Sequence, residues 1–121
     1  MINQKILIVD DSSTDRLNLK NVVTKANYSV VTASSGVEAV AKAKSERPIL
    51  IFMDIVMDKM DGYGACRLIH EDPETENIPI IFVSTKNQKV DQLWAKKQGG
   101  KALVSKPYTE QDILEQIQVF C

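Results

Sequence analysis

Leu50-Ile51-Phe52-Met53-Asp54 is a run of bulky apolar side chains that stops abruptly on a carboxylate. An apolar run of that length, bounded by polar residues, reads as a strand buried on both faces, which puts Asp54 at the carboxyl end of a central parallel strand. In an open α/β sheet that edge is where sites form. A second run, Lys5-Ile6-Leu7-Ile8-Val9, ends the same way on Asp10-Asp11. If the two strands are neighbours, three carboxylates share one crevice and repel one another unless a cation is bound. The arrangement asks for a metal.

The segments between and beyond these runs alternate in type. Leu19, Val22, Val23 and Ala26 recur with a helical period after Asp10-Asp11, and Ser12 or Ser13 can cap that helix. Asn27-Tyr28 closes it before a β-branched strand, Ser29 to Ala33. Val37, Val40 and Ala41 predict the apolar face of a second helix, stopped at Arg47-Pro48 because the residue before proline is pushed out of the α region. A loop from Ile55 to Gly62 leads to a helix holding Cys66, Leu68 and Ile69, which Asp72-Pro73 ends. The linker Glu74-Thr75-Glu76-Asn77 precedes a fourth strand, Ile80 to Val83, ending on Ser84-Thr85. Val90, Leu93, Trp94 and Lys97 mark a fourth helix, Gly99-Gly100 its stop, and Lys101 to Ser105 a fifth strand ending at Lys106-Pro107. The last helix starts at Thr109, whose partner Asp112 resembles a capping box, and turns Ile113, Leu114, Ile117 and Phe120 inward.

Strands and helices in alternation imply right-handed crossovers and one doubly wound, five-stranded parallel sheet flanked by five helices. The 121 residues and 44% hydrophobic content fit one domain over residues 1–121. A net charge of -1 gives no overall field to hold nucleic acid or anionic lipid, and no run is long enough to span a membrane. The chain leads from Met1 into its first strand without a signal segment, so a cytoplasmic protein is expected. Cys66 and Cys121 lack the spacing of a zinc site and are expected to be inert thiols.

The polar strand ends all fall on one edge: Asp10 and Asp11, Asp54, Ser84 with Thr85, and Lys106. A carboxylate nucleophile needs its own charge and that of the incoming group balanced, a task that acidic oxygens and a hard divalent cation perform in phosphoryl transfer. Mg²⁺ keeps several waters, so two carboxylates and one backbone carbonyl suffice as protein ligands. Lys106 can pair with a phosphoryl oxygen and the Ser84 hydroxyl can donate to another. Taken singly, each residue has an ordinary role as cap, turn or surface charge. Their convergence argues for a site.

The pattern Asp10-Asp11, Met53-Asp54, Ser84 and Lys106-Pro107 resembles the receiver domain of two-component response regulators, over essentially the whole chain. The resemblance implies a flavodoxin-like receiver fold with Asp54 as the acceptor of a phosphoryl group from a phosphohistidine of a sensor histidine kinase of the chemotaxis type. It implies Mg²⁺ on Asp11, Asp54 and the carbonyl of Val56, with Asp10 acting largely through a metal-bound water. Ser84 would be the switch hydroxyl and Lys106 the phosphate-sensing lysine, followed by a cis peptide. Autophosphorylation and autodephosphorylation would be its only chemistry, with no enzymatic turnover of other substrates. The likeness is to stand-alone, monomeric chemotaxis-type regulators that dock on a downstream protein, without an output domain or nucleic acid. Met53 to Met57, with Ser84 to Gln88, Asp91, Trp94, Lys97, Gln98 and Gly99, is similar to the PilH-type regulators of twitching motility and type IV pili.

The chain departs from that pattern at Asp58, where a proline is usual, at Thr85, where a small residue is usual, and at Leu103, where an aromatic commonly reports the switch. Asp58 is expected to be solvated. Six lysines and one carboxylate, Asp91, occupy Lys86 to Lys106, a basic face suited to an acidic partner. His70 reads as a helix C-terminal dipole partner or plain surface, and Trp94 as packing. Competing readings are a flavodoxin-type electron carrier, which Asp10-Asp11 would oppose by repelling a flavin phosphate, and a phosphatase, which would want an aspartate at position 56, where valine stands. Within signalling, a phosphate sink and a flagellar chemotaxis regulator remain open.

Overall fold

The computed structural model describes residues 4–86 and 88–121. Met1 to Asn3, expected to lead into the first strand, and Asn87, within the segment carrying the finer likeness, lie outside them. Ten elements alternate along the chain: β1 (Lys5–Val9), α1 (Ser13–Lys25), β2 (Ser29–Ala33), α2 (Gly36–Glu46), β3 (Leu50–Met53), α3 (Gly62–Glu71), β4 (Ile80–Ser84), α4 (Lys89–Lys97), β5 (Ala102–Ser105) and α5 (Glu110–Phe120). The strands form one parallel sheet in the order β2-β1-β3-β4-β5, which makes β3 central and β1 its neighbour, as the two acidic strand ends required.

All four residues of β3 are fully buried, because the sheet is covered on both faces. Strand alternation sorts the core into two layers. Ile6, Ile8, Leu50, Phe52, Ile81, Val83 and Val104 pack with Leu19 and Val23 of α1 and Ile113 and Ile117 of α5. Leu7, Val9, Ile51, Met53, Ile80, Phe82 and Leu103 pack with Ala39 and Ala43 of α2, Ala65, Cys66 and Ile69 of α3, and Ala95 of α4. Full burial of such a side chain contributes about 1.5–3 kcal/mol.

Local chemistry sets the boundaries. Ser12, rather than Ser13, caps α1 by accepting from the Asp15 amide, and Thr109 and Asp112 form the capping box expected for α5. Asn27 closes α1 with φ 68, a left-handed conformation that asparagine tolerates.

Three helices turn differently from the expectation. In α2, Val37 is exposed and Ala41 points outward, while Gly36, Ala39 and Ala43 are buried, since small residues let the helix approach the sheet and α3 closely. Leu68 of α3 is 42% exposed, displaced from the core by Tyr63, Cys66 and Ile69. In α4 the whole stripe faces out: Val90, Leu93 and Trp94 are 63%, 65% and 49% exposed, and only Ala95 is buried. Trp94 is therefore not packing, contrary to expectation.

His70 is neither plain surface nor only a dipole partner. Half-buried in the last turn of α3, its Nε2 lies 3.2 Å from the Ile78 carbonyl oxygen, and its ring abuts Gly99, whose φ of +108 and lack of a Cβ leave room for it. Thr75, read as part of a polar linker, is buried and donates its hydroxyl to the Ile69 carbonyl at 2.5 Å, satisfying the end of α3. Burial pushes the Cys66 thiol up to about 12, consistent with an inert side chain.

The Tyr63 ring meets Phe82 edge-on, with centroids 5.1 Å apart, but its buried hydroxyl has no hydrogen-bond partner among the described residues. Tyr63→Phe should leave the fold equally stable or stabilise it by about 1 kcal/mol, because an unpaired buried hydroxyl carries only desolvation cost. Urea denaturation measures this, and a loss above about 1 kcal/mol would show that the hydroxyl is satisfied in solution.

Candidate functional site

Parallel pairing in register brings the strand ends together. Val9 pairs with Met53 and Met53 with Phe82, so Asp10 and Asp54 emerge side by side at the carboxyl edge. The Asp54 amide donates to the Val9 carbonyl at 3.0 Å, and the Asp10 amide to the Ala33 carbonyl at 3.1 Å, which extends both ladders into the site. Asp10, Asp11 and Asp54 each offer a carboxylate oxygen within 4.8 Å of the others. Asp10 is buried, Asp54 partly so, and Asp11 exposed.

Lys106 closes the group from the end of β5. Its Nζ lies 2.7 Å from Asp10 Oδ2, 2.9 Å from Asp15 Oδ2 and 3.2 Å from Asp54 Oδ2. Burial works against the ammonium, but the bonds to Asp10 and Asp15 and the nearby Asp54 charge outweigh it, holding the Lys106 pKa above the ordinary lysine value. Burial pushes the Asp10 carboxyl above its usual range, with Lys106 and the Ser12 amide opposing the shift. The peptide between Lys106 and Pro107 is cis.

Ser84 ends β4 opposite Ser105 and is fully buried. Its hydroxyl accepts from the Lys86 amide at 3.3 Å, while its carbonyl accepts from the Lys106 amide at 2.9 Å. The Ser84 hydroxyl thus sits on the expected edge, tied to the segment leading into α4. Val56 lies in the loop after Asp54 and is exposed, as is Asp58, whose side chain is solvated as expected. Leu103 is buried beneath α4, and Thr85 is exposed.

Two residues of α1 join the site without having been singled out by the sequence. Asp15 pairs with Lys106, and Arg16 donates from Nη1 to the Asp10 carbonyl at 2.7 Å. An acidic residue in the first turn of a helix is ordinarily a dipole partner, so the only signal was its position shortly after Asp10-Asp11.

Residues 6–118 match the family model of the response regulator receiver domain. The chain belongs to this family. As a receiver it is 41% identical over 113 residues to Protein PilH of Pseudomonas aeruginosa, a match covering 93% of each chain. Among solved structures, the chemotaxis protein CheY4 of Vibrio cholerae superposes with a TM-score of 0.92 at 28% identity, covering 99% of this receiver and 100% of that chain. The CheY of Borrelia burgdorferi, solved in a complex with CheX, BeF3 and Mg, superposes with a TM-score of 0.89 at 29% identity, covering 98% of this receiver and 90% of that chain. The electron-carrier reading is set aside by these relationships and by the acidic residues where a flavin phosphate would lie.

The donor set of this receiver fits a hard divalent cation. Asp10, Asp15 and Asp54 contact one lysine and Asp11 lies with Asp10 and Asp54, leaving an excess of negative charge on oxygen donors, the ligands such ions take. No helix is long and apolar enough to cross a membrane among the described residues.

Proposed function

We propose that this receiver takes a phosphoryl group on Asp54 from a phosphohistidine of a chemotaxis-type sensor kinase and signals, in the cytoplasm, by docking on a downstream protein in type IV pilus twitching motility. The observation that carries this reading is Lys106 Nζ seated between Asp10 and Asp54, an ammonium already placed beside the acceptor oxygen. Asp54 Oδ1 is held by the Ile55 amide at 2.7 Å, which leaves Oδ2 as the attacking oxygen. As the Oδ2–P bond forms, the P–N bond to the donor imidazole breaks and that nitrogen takes up a proton.

Mg²⁺, held by Asp10, Asp11, Asp54 and the Val56 carbonyl, would neutralise charge on the transferring phosphoryl oxygens. Lys106 then pairs with one of those oxygens and the Ser84 hydroxyl with another. Because Ser84 binds the Lys86 amide, its movement toward the phosphoryl group is coupled to the start of α4. That population shift is the signal.

The exposed stripe of Val90, Leu93 and Trp94, flanked by Lys89, Lys96 and Lys97, supports α4 as the surface that meets an acidic, partly apolar partner. Lys106 itself is not part of this basic face, being consumed in the site. The near full-length match to PilH supports the twitching-motility assignment over a flagellar one.

Incubation with acetyl phosphate and Mg²⁺ should add one phosphoryl group, read as an intact-mass increase, and the adduct should be absent from Asp54→Ala and without Mg²⁺. An equal adduct on Asp54→Ala would place the acceptor elsewhere.

A further inference from the structure

Lys106 has three N–H donors, and each faces a different carboxylate: Asp10, Asp15 and Asp54. Two of these belong to the acidic cluster able to hold a metal ion; Asp15 does not. Its backbone amide is fixed to Ser12 Oγ at 3.3 Å by the cap of α1, so the first turn of that helix carries the Asp15 carboxylate to Lys106, and these two residues line a cleft whose wall includes none of Asp10, Asp11 and Asp54. The cleft, of about 570 Å³, opens between α1 and the segment after β5, and Asn18, Thr85, Pro107 and Tyr108 also line it. Lys106 is itself part of the lining of that cleft.

We propose that Asp15 is a positioning residue that competes with the phosphoryl group for Lys106, drawing its ammonium toward α1 and so weakening the hold of the site on a phosphoryl group. This rests on the reading of Asp54 as acceptor. Asp10 and Asp54, which would hold a cation in the acidic cluster, would then share their charge with it and grip Lys106 less firmly. Asp15 remains the carboxylate bidding against the phosphoryl oxygens for the loosened ammonium. Its side chain is 42% exposed, so the competition is that of a partly solvated ion pair, a matter of a few fold in affinity rather than of orders of magnitude.

The test is titration of the protein with beryllofluoride, a phosphoryl mimic, in saturating Mg²⁺, followed by amide NMR. Asp15→Asn should bind the mimic about three- to fivefold more tightly than wild type, the scale of one half-exposed ion pair. Asp15→Glu should return toward the wild-type value. In a Lys106→Ala background the same Asp15→Asn change should have no effect, since its partner is gone. Unchanged or weaker binding by Asp15→Asn, or an equal gain without Lys106, would overturn the inference. If wild type itself binds no mimic, the acceptor reading fails and carries this one down with it.

Discussion

Gly62→Ala should unseat Asp54. A Cβ at position 62 would lie 2.1 Å from the Asp54 carbonyl oxygen and 3.0 Å from both the Asp54 carbonyl carbon and Ile55 Cα. All three obstacles are backbone, so no side chain can swing aside. The Gly62 amide also donates to the Ile55 carbonyl at 2.8 Å, which pins the start of α3 against the loop that bears the acceptor. Relief requires moving either that loop or the first turn of α3, where Gly62 and Tyr63 are buried. The expected cost is about 3 kcal/mol, the upper range of an overpacked core, or roughly 10 °C in Tm for a domain of this size. Phosphoryl uptake from acetyl phosphate should fall with it, because the loop that must shift is the one that aims Asp54. Thermal melts together with intact mass check both halves. A variant that melts and labels like wild type would show that the loop relaxes at no cost.

The second large effect is expected at the opposite side of the crevice. Lys106→Met removes the ammonium from Asp10 and Asp54, whose side chains are only 8% and 12% exposed, and leaves them facing each other. Breaking a buried pair by removing one partner costs more than the pair itself contributes, because a desolvated charge is left uncompensated. A loss of about 3 kcal/mol is expected at neutral pH in the absence of metal. The pH dependence has a definite sign. Burial already raises the Asp10 pKa in the folded state above its unfolded value of about 3.8, so its ionisation opposes folding. That penalty is absent below the unfolded pKa and grows as pH rises through the carboxylate range. Without Lys106 it should grow larger, making the variant relatively more stable near pH 4 than near pH 7. Mg²⁺ should restore much of the neutral-pH loss, since at 100 times its Kd a ligand stabilises by about 2.7 kcal/mol. Urea melts at the two pH values with EDTA or Mg²⁺ decide this. Equal stability of the variant and wild type at pH 7 in EDTA would mean that the carboxylates do not need the lysine.

Asp54 and Lys106, on which the two predictions act, were already placed at strand ends by the sequence, and the reason they were legible is local. Burial on both faces leaves an uninterrupted apolar run, as in Leu50 to Met53, and a carboxylate at its end marks where the chain leaves the sheet. The paired aspartates after the first run, the hydroxyl after the fourth strand and the lysine before Pro107 then fall on one edge by topology alone. Helix faces were less legible. In α2 Ala39 and Ala43 face the core, with Val40 only partly covered and Val37 and Ala41 exposed, and in α4 the most apolar stripe is the one turned to solvent. A 3.6-residue period shows that a helix has an apolar side but not that this side is covered, and an exposed one points to binding.

The sequence by itself determined the parallel sheet, the common edge that carries Asp10, Asp11 and Asp54, and the family resemblance, because strand burial and the residue at a strand's end are written in consecutive positions, whereas the pairing of β1 with β3 that makes those aspartates neighbours came from the tertiary structure. Only the tertiary structure decided that Asp15 shares Lys106 with Asp10 and Asp54, that Thr75 closes α3 from within, and that Trp94 stands in solvent. Each of those depends on the angle at which a helix lies on the sheet or on a contact between residues far apart in the chain. Lys106 and Asp15 are 91 residues apart, and packing alone brings their charges to 2.9 Å.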